Sequence, residues 1–549
     1  MKRFCRLVAA LLLGAPAFAQ TVPAKPKLVV GVVVDQMRWD YLYRYQDRYT
    51  ANGFKRMLRE GTTCENTFIP YTPTYTAPGH ASVYTGSVPA LHGIVGNNWY
   101  NRELGRGVYC TEDTVAQTVG STGLAGKMSP RNMWASTITD EVRLANNFRG
   151  KTVGIALKDR GAILPAGHTA NAAYWYENGN FISSNYYMQE LPGWVQRFND
   201  RKLVDQYMSQ PWKTLYPIET YVQSTADDKP YEGRVAGSTT FLHRVDTLKG
   251  GRYEAFRTTP YGNTYTVEMA KAAIEGEALG ADAITDFLTV SFSSPDYIGH
   301  AFGPNSIEAE DGFLRLDQDL AGFLQYLDTK VGKGQYLLFL TADHGAAHVP
   351  GFAEEHHLPA GVRSAAGQRA VWDKTLEQAF GVKGLVLTLA NDQVFLNNTL
   401  LQQNKLDRQQ VKQVLMQAIL QDPAIARVID LGNITGSALP SKVEMMVTNG
   451  YNQRLSGDVQ YLFKPQWFDG GKTGTTHGLW NPYDSHIPLL FFGWHIKPGK
   501  VNRETYMTDI APTVAALLQV QMPNAAVGQV IEEVIPPVPP KGELRPNRP

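Results

Sequence analysis

Three aspartates and three histidines sit where a fold could gather them. Asp35 directly follows the apolar run Leu28–Val34, and Asp296 and His300 fall just past Phe287–Phe292 in Ser-Pro-Asp-Tyr-Ile-Gly-His. Asp343 and His344 end Tyr336–Thr341 in Leu-Thr-Ala-Asp-His-Gly, and His477 stands in Gly-Thr-Thr-His-Gly shortly before Leu489–Phe492. Each is weak evidence alone, since an Asp after a strand is more often a helix cap. Together they form a ligand set suited to two Zn2+ ions, each with a position open to water or substrate. Two such cations about 3.5–4 Å apart can clamp the attacking and leaving oxygens of an in-line displacement.

A nucleophile is available in Tyr75-Thr76-Ala77-Pro78-Gly79-His80. Proline is favoured in the first turn of a helix, which puts Thr76 at a helix N-terminus. Unpaired N–H groups and the dipole there favour an alkoxide or a phosphate oxygen. A threonine hydroxyl needs a base or a metal to depress its pKa, and coordination by one Zn2+ would do so. Without the metal ligands, an ordinary helix cap is the better reading of Thr76. The remaining histidines carry less weight. His80 and His92 lie near the nucleophile as supporting or structural groups, and His168, His243 and His495 read as structural. His348 and Glu354-Glu355-His356-His357 have ligand chemistry but fall in an expected loop. His486 competes with His477 for the sixth ligand position, and the Thr-His-Gly context favours His477.

These groups require a scaffold that presents strand ends side by side. Leu28–Val34, Thr152–Leu157, Phe287–Phe292, Tyr336–Thr341 and Leu489–Phe492 are continuous β-branched or aromatic runs that read as buried parallel strands. Helical patterns lie between them, clearest over Ser306–Leu327, where Phe313, Leu316, Leu320, Phe323 and Leu327 share one face. The alternation predicts an α/β fold with a doubly wound, mostly parallel central sheet flanked by helices, its ligands bound beyond the strands' carboxyl ends. Two stretches break the alternation and are expected to be inserted cap subdomains. Residues from about 162 to 280 carry an aromatic hairpin, Tyr174-Trp175-Tyr176 and Phe181-Ile182 about Asn178-Gly179. Residues from about 375 to 465 carry a helix over Asp407–Gln421.

The 549 residues, 43% apolar with 50 Gly and 32 Pro, describe a loop-rich globular protein. Lys+Arg is 52 against Asp+Glu 51, which offers no basic excess for binding nucleic acid. Residues 1–19 read as a secretory signal peptide: Lys2, Arg3 and Arg6 precede the apolar Leu7–Ala15 and the cleavage pattern Ala17-Phe18-Ala19. Its removal leaves a net charge near −2, and no later run is long enough to span a membrane. The expectation is an exported, periplasmic or secreted monomer with a catalytic domain over residues 20–535 and a flexible Pro-rich tail over 536–549. Cys5 leaves with the leader, and for Cys64 and Cys110 an oxidising compartment favours one bridge over two buried thiols.

Thr-Ala-Pro-Gly-His, Gly-Asn-Asn-Trp-Tyr, Lys-Asp-Arg-Gly-Ala, the Asp-x3-His, the Asp-His-Gly and the Thr-His-Gly follow one another in this order. The series resembles the alkaline phosphatase superfamily in its nucleotide pyrophosphatase/phosphodiesterase-like branch. Within that branch it is most similar to the exported phosphate-irrepressible alkaline phosphatases that use threonine, over residues from about 26 to about 530. The resemblance implies an alkaline-phosphatase-like fold, with one zinc held by Asp35, Thr76, Asp343 and His344 and a second by Asp296, His300 and His477. It further implies that Asn97 donates to a phosphoryl oxygen and that Lys158 and Arg160 face the same group. Arg160 would pair bidentately with phosphate, and Lys158 would act as a compact charge through water. On its own, Lys158-Asp159-Arg160 would read as a solvated loop.

Cations beyond the two metals favour a monoester dianion over a diester, because transition-state charge spreads over the equatorial oxygens. Diesterase relatives of the branch typically lack that Lys and Arg. The implied activity is hydrolysis of small phosphate monoesters through a phosphothreonine intermediate. A phosphodiesterase or nucleotide pyrophosphatase on the same scaffold is the alternative. A sulfatase is disfavoured, because Thr76-Ala77-Pro78-Gly79-His80 lacks the Cys/Ser-x-Pro-x-Arg motif. An exported zinc- or phosphate-binding protein without turnover would need a broken site, and no ligand or nucleophile is missing.

Overall fold

The computed structural model describes residues 25–536. The expected leader, and the Pro-rich tail beyond residue 536, lie outside the described residues. Ten strands build the central sheet: β1 (Leu28–Val34), β2 (Thr62–Phe68), β3 (Thr118–Val119), β4 (Thr152–Ala156), β5 (Ala172–Glu177), β6 (Asn180–Ser184), β7 (Asp286–Phe292), β8 (Tyr336–Thr341), β9 (His486–Gly493) and β10 (Gly499–Tyr506). Their spatial order is β10-β2-β9-β8-β1-β7-β4-β5-β6-β3. The run β8-β1-β7-β4-β5 is parallel throughout. Every residue of β1, β7 and β8 is buried, which is why these strands read as continuous rather than alternating apolar segments.

Two expectations need correction. Leu489–Phe492 reads in sequence as a parallel strand, but it lies in β9, which runs antiparallel to both β8 and β2. A continuous apolar run reports burial on both faces and carries no information about direction. The aromatic hairpin, expected within an inserted cap from about residue 162, instead extends the central sheet as β5 and β6. Its first strand pairs parallel with β4, so its buried Tyr174 and Trp175 belong to the sheet's own layers. β2, rich in threonine (Thr62-Thr63-Cys64-Glu65-Asn66-Thr67), has no apolar run to mark it and is positioned by its neighbours β9 and β10.

The helices include α1 (Thr76–Thr85), α2 (Asp159–Ala166), α3 (Ser294–Phe302), α4 (Ile307–Leu327), α5 (Ala365–Phe380) and α6 (Arg408–Leu420). Ser306 caps α4 by accepting a hydrogen bond from the Ala309 N–H at 3.1 Å, and Glu308 and Glu310 occupy its first turn. Asp407 caps α6 in the same way through the Gln410 N–H at 2.8 Å. α5 and α6 cover a separate four-stranded antiparallel sheet, in the order Val386–Ala390, Gln393–Leu396, Val459–Phe463, Ile425–Asp430. That unit has its own apolar cluster around Trp372, Leu415 and Tyr461. No helix among the described residues is long and apolar enough to cross a membrane.

Cys64 and Cys110 are both free, which overturns the expected bridge. Cys64 is buried in the central core, whereas Cys110 packs in a different cluster with Trp99 and Met133. Burial pushes each thiol up to about 12, so neither is a thiolate at neutral pH. The native protein is therefore expected to resist a thiol reagent until it is unfolded, when Cys64 and Cys110 should both react without prior reduction. A requirement for reductant would reinstate the bridge.

Candidate active site

The site forms where several chain segments leave the same edge of the sheet. Asp35 directly follows β1, Asp343 and His344 follow β8, and Lys158 and α2 follow β4. α3 follows β7 and carries Asp296 in its first turn and His300 in its last. Thr76 is the first residue of α1; Tyr75 takes the cap position, so the buried Thr76 hydroxyl is not consumed in capping. Gly79 brings this helix end against the residues after β8. A Cβ on Gly79 would lie 2.6 Å from the Asp343 carbonyl oxygen and 2.7 Å from its Cβ.

The carboxylates and imidazoles form two compact groups, Asp35/Asp343/His344 and Asp296/His344/His477, each with its ligand atoms within 4.8 Å of one another. His344 serves both groups because its ring stacks on His477 at 3.4 Å. This differs from the implied grouping of Asp296 with His300 and His477. His300 Nε2 is 3.1 Å from Asp296 Oδ1, but the side chain remains 36% exposed on the open side. All three histidines share one orientation device. His344 Nδ1 donates to the Gly345 carbonyl at 2.9 Å, His477 Nδ1 to Thr74 at 2.8 Å and His300 Nδ1 to Thr475 at 2.8 Å. A carbonyl can only accept, so each Nδ1 carries a proton, which leaves Nε2 of the neutral His344 and His477 imidazoles as a lone-pair donor facing the carboxylates; burial works against charge on His300, but Asp296 beside its Nε2 raises its pKa. Thr76 Oγ1 lies 3.3 Å from His344 Nε2.

An amide and two cationic side chains lie beside these groups. The Asn97 Oδ1 accepts from the Ala77 N–H at 2.9 Å, which ties this side chain to the start of α1 and leaves its NH2 group free to donate. Arg160 Nη1 is held by the Tyr109 hydroxyl at 3.1 Å, and that hydroxyl donates to Asp159 at 2.6 Å. Lys158, at the cap position of α2, departs from the expected water-mediated role. Its Nζ donates to Asp35 Oδ2 at 2.7 Å and Asp296 Oδ2 at 2.5 Å, making it a counter-ion to one carboxylate from each group.

The charge balance of this arrangement is set by burial and by one ammonium. Asp35, Asp296 and Asp343 are all buried, and Lys158 is the ammonium among them. Burial, then the Asp343 charge, raises the pKa of Asp35. Burial also works against ionisation of Asp343 and Asp296, but His80 and Lys158 hold Asp343 low, and His300 and Lys158 hold Asp296 low. Burial keeps the His344 and His477 imidazoles neutral, which is the form that binds metal. Asp35 Oδ1 and Asp343 Oδ2 are buried without any hydrogen-bond partner among the described residues. Orphaned carboxylate oxygens beside lone-pair imidazole nitrogens are a donor set that fits divalent cations.

Sequence reasoning leaves some supporting residues without a role. His80, one turn along α1 from Thr76, donates from Nδ1 to the Thr76 carbonyl at 2.9 Å, and its Nε2 meets the Ser291 hydroxyl at 2.8 Å. Its place in the Thr-Ala-Pro-Gly-His motif is the only signal of that part. Asn391, on the hairpin between Val386–Ala390 and Gln393–Leu396, donates to the Asn98 carbonyl at 2.9 Å and so braces the Asn97 loop across nearly 300 residues. The rival ligand His486 is instead stacked between Trp39 and Phe68 and bonded to the Glu65 carbonyl.

A family model described as type I phosphodiesterase / nucleotide pyrophosphatase matches residues 29–484. The chain belongs to that family. Among its relatives, the alkaline phosphatase PhoV of Synechococcus elongatus is 51% identical over 522 residues, covering 94% of each chain. A Myroides odoratus protein named calcium-transporting ATPase is 52% identical over 520 residues, covering 93% of this chain and 95% of that one. The crystal structure of wild-type alkaline phosphatase PafA, known from Elizabethkingia meningoseptica, matches with a TM-score of 0.92 at 48% identity, covering 94% of this chain and 99% of that one. PafA has also been solved as a variant with a threonine, an asparagine, a lysine and an arginine substituted.

In this member of the type I phosphodiesterase / nucleotide pyrophosphatase family, the close approach at Gly79 gives a test of sign. A helical Gly→Ala change ordinarily stabilises by about 1 kcal/mol. Gly79→Ala is instead expected to destabilise by about 1–3 kcal/mol through overpacking against Asp343, read as a lowered Tm by calorimetry. A raised Tm would show that α1 can move away freely.

Proposed function

We propose that the protein is an exported, zinc-dependent alkaline phosphatase that hydrolyses small phosphate monoesters through a phosphothreonine intermediate. The observation that carries this reading is the position of Thr76 Oγ1. It lies at the N-terminus of α1, 3.3 Å from the imidazole shared by both acid–histidine groups, in a helix whose Ala77 N–H holds Asn97. Asp35, Thr76, Asp343 and His344 would hold one zinc, and Asp296, His300 and His477 the other, with His344 close to both. When bound, these ions would lower the pKa of a coordinated hydroxyl and neutralise charge on the reacting oxygens.

The chain's own residues do the positioning. The Asn97 amide and the Arg160 guanidinium offer N–H donors to the non-bridging oxygens, and Lys158 adds a positive charge beneath them. Thr76 Oγ loses its proton to solvent and forms the bond to phosphorus as the ester P–O bond breaks, and the departing alkoxide takes up a proton. Water then forms a new P–O bond while the Thr76 oxygen–phosphorus bond breaks, which returns the hydroxyl and releases phosphate. The relatives named alkaline phosphatase support this activity, and the four residue types substituted in the PafA variant match Thr76, Asn97, Lys158 and Arg160 in kind and order. The leader read over residues 1–19 supports export.

The family's own description favours a second reading, a phosphodiesterase or nucleotide pyrophosphatase. Lys158 and Arg160 weigh against it, because a diester carries one charge and two non-bridging oxygens for two cations to meet. Thr76→Ala is expected to abolish the burst of phosphoenzyme seen on rapid mixing with a chromogenic monoester; a full burst would remove Thr76 from the role. Replacing Lys158 and Arg160 together with Ala should cut monoester kcat/KM by about 100-fold or more. Turnover of a diester of the same alcohol should fall far less, and equal losses would favour the diesterase.

A further inference from the structure

Gln36 takes no part in the proposed phosphoryl transfer, and its conformation is costly. It follows Asp35 at the end of β1 with φ of 64°, in the left-handed region that a side chain such as glutamine rarely enters. Holding a non-glycine residue there strains the backbone, and such strain persists only where surrounding structure imposes it. Glycine would relieve the strain, yet the position carries a long polar side chain that is 4% exposed.

What the turn achieves is a bridge. The Gln36 backbone N–H donates to Asp343 Oδ1 at 3.1 Å, and its side-chain Nε2 donates to Asp296 Oδ1 at 2.8 Å. One residue therefore binds one carboxylate from each acid–histidine group. α3 is shaped to admit it: a Cβ on Gly299 would come within 1.8 Å of Gln36 Oε1. The bridge is neutral, so it constrains both carboxylates without competing for the positive charge they need. Lys158 also links the two groups, but through a positive charge that a bound cation would repel.

We infer that Gln36 is a positioning residue that fixes the spacing between the two metal-holding groups, so that both ions are retained together. The inference rests on the two-zinc reading of the site. The strained turn supplies the means of testing it, since Gln36→Gly removes the amide while relieving the backbone. Q36G is expected to fold with a Tm no lower than wild type. After the zinc-loaded enzymes are challenged with a chelator, elemental analysis should find two ions retained by wild type. Q36G should lose at least one of them at least tenfold faster, with release followed by a colorimetric zinc indicator. Gln36→Asn tolerates the left-handed turn but is one methylene too short to reach Asp296, and should release metal like Q36G. Folded Q36G that keeps both ions at the wild-type rate would overturn the role of Gln36. A wild-type enzyme without two divalent ions would overturn the metal reading itself.

Discussion

Three carboxylates buried together at one edge of a sheet are the constraint on which the rest of this structure depends. Asp35, Asp296 and Asp343 are withdrawn from water; burial opposes ionisation of all three, and for Asp35 the charges of Asp343 and Asp296 oppose it as well. One ammonium, Lys158, touches two of them. Charges buried in this way persist only when paired or bound to cations. The neighbouring imidazoles add to the demand, since burial keeps His344 and His477 neutral and their Nδ1 atoms are committed to backbone carbonyls. Orphaned oxygens and lone-pair nitrogens converge on the same space.

The parallel sheet makes such a concentration possible. Parallel strands all deliver their carboxyl ends to one edge, so β1, β4, β7 and β8 carry Asp35, Lys158, α3 and Asp343 to a common locus despite their separation in sequence. Close packing then sets the fine spacing. Gly79 lets α1 meet the Asp343 backbone, and Gly299 lets α3 accept the Gln36 amide. The chain belongs to a family described by phosphodiesterase and nucleotide pyrophosphatase chemistry, and at this site it adds Lys158 to two of the carboxylates and ties Asn97 to the start of α1.

Much of this was legible in the chain, for identifiable reasons. β1, β7 and β8 stood out because strands buried on both faces have continuous apolar sequences. The helical stretches Ser306–Leu327 and Asp407–Gln421, whose first residues Ser306 and Asp407 act as caps in the structure, were legible as α4 and α6, because capping is local chemistry. The direction of β9, the membership of the aromatic hairpin in the central sheet and the Thr-rich β2 were not legible, since each depends on which strand becomes the neighbour. The free thiols of Cys64 and Cys110 have the same origin: composition can suggest a pair, but separate apolar clusters keep them apart.

The candidate site divides along the same line. Residue type and position relative to strand ends were enough to single out the three aspartates, His300, His344, His477 and the Thr76 motif, because donor chemistry and helix-start signals are properties of short segments. The sharing of His344 between both groups, the reach of Lys158 to two carboxylates, the brace from Asn391 and the Gln36 bridge could not be read there. Each is a contact of a few ångströms between residues far apart along the chain. Only packing of the whole sheet with its helices determines such distances, and no local pattern encodes them.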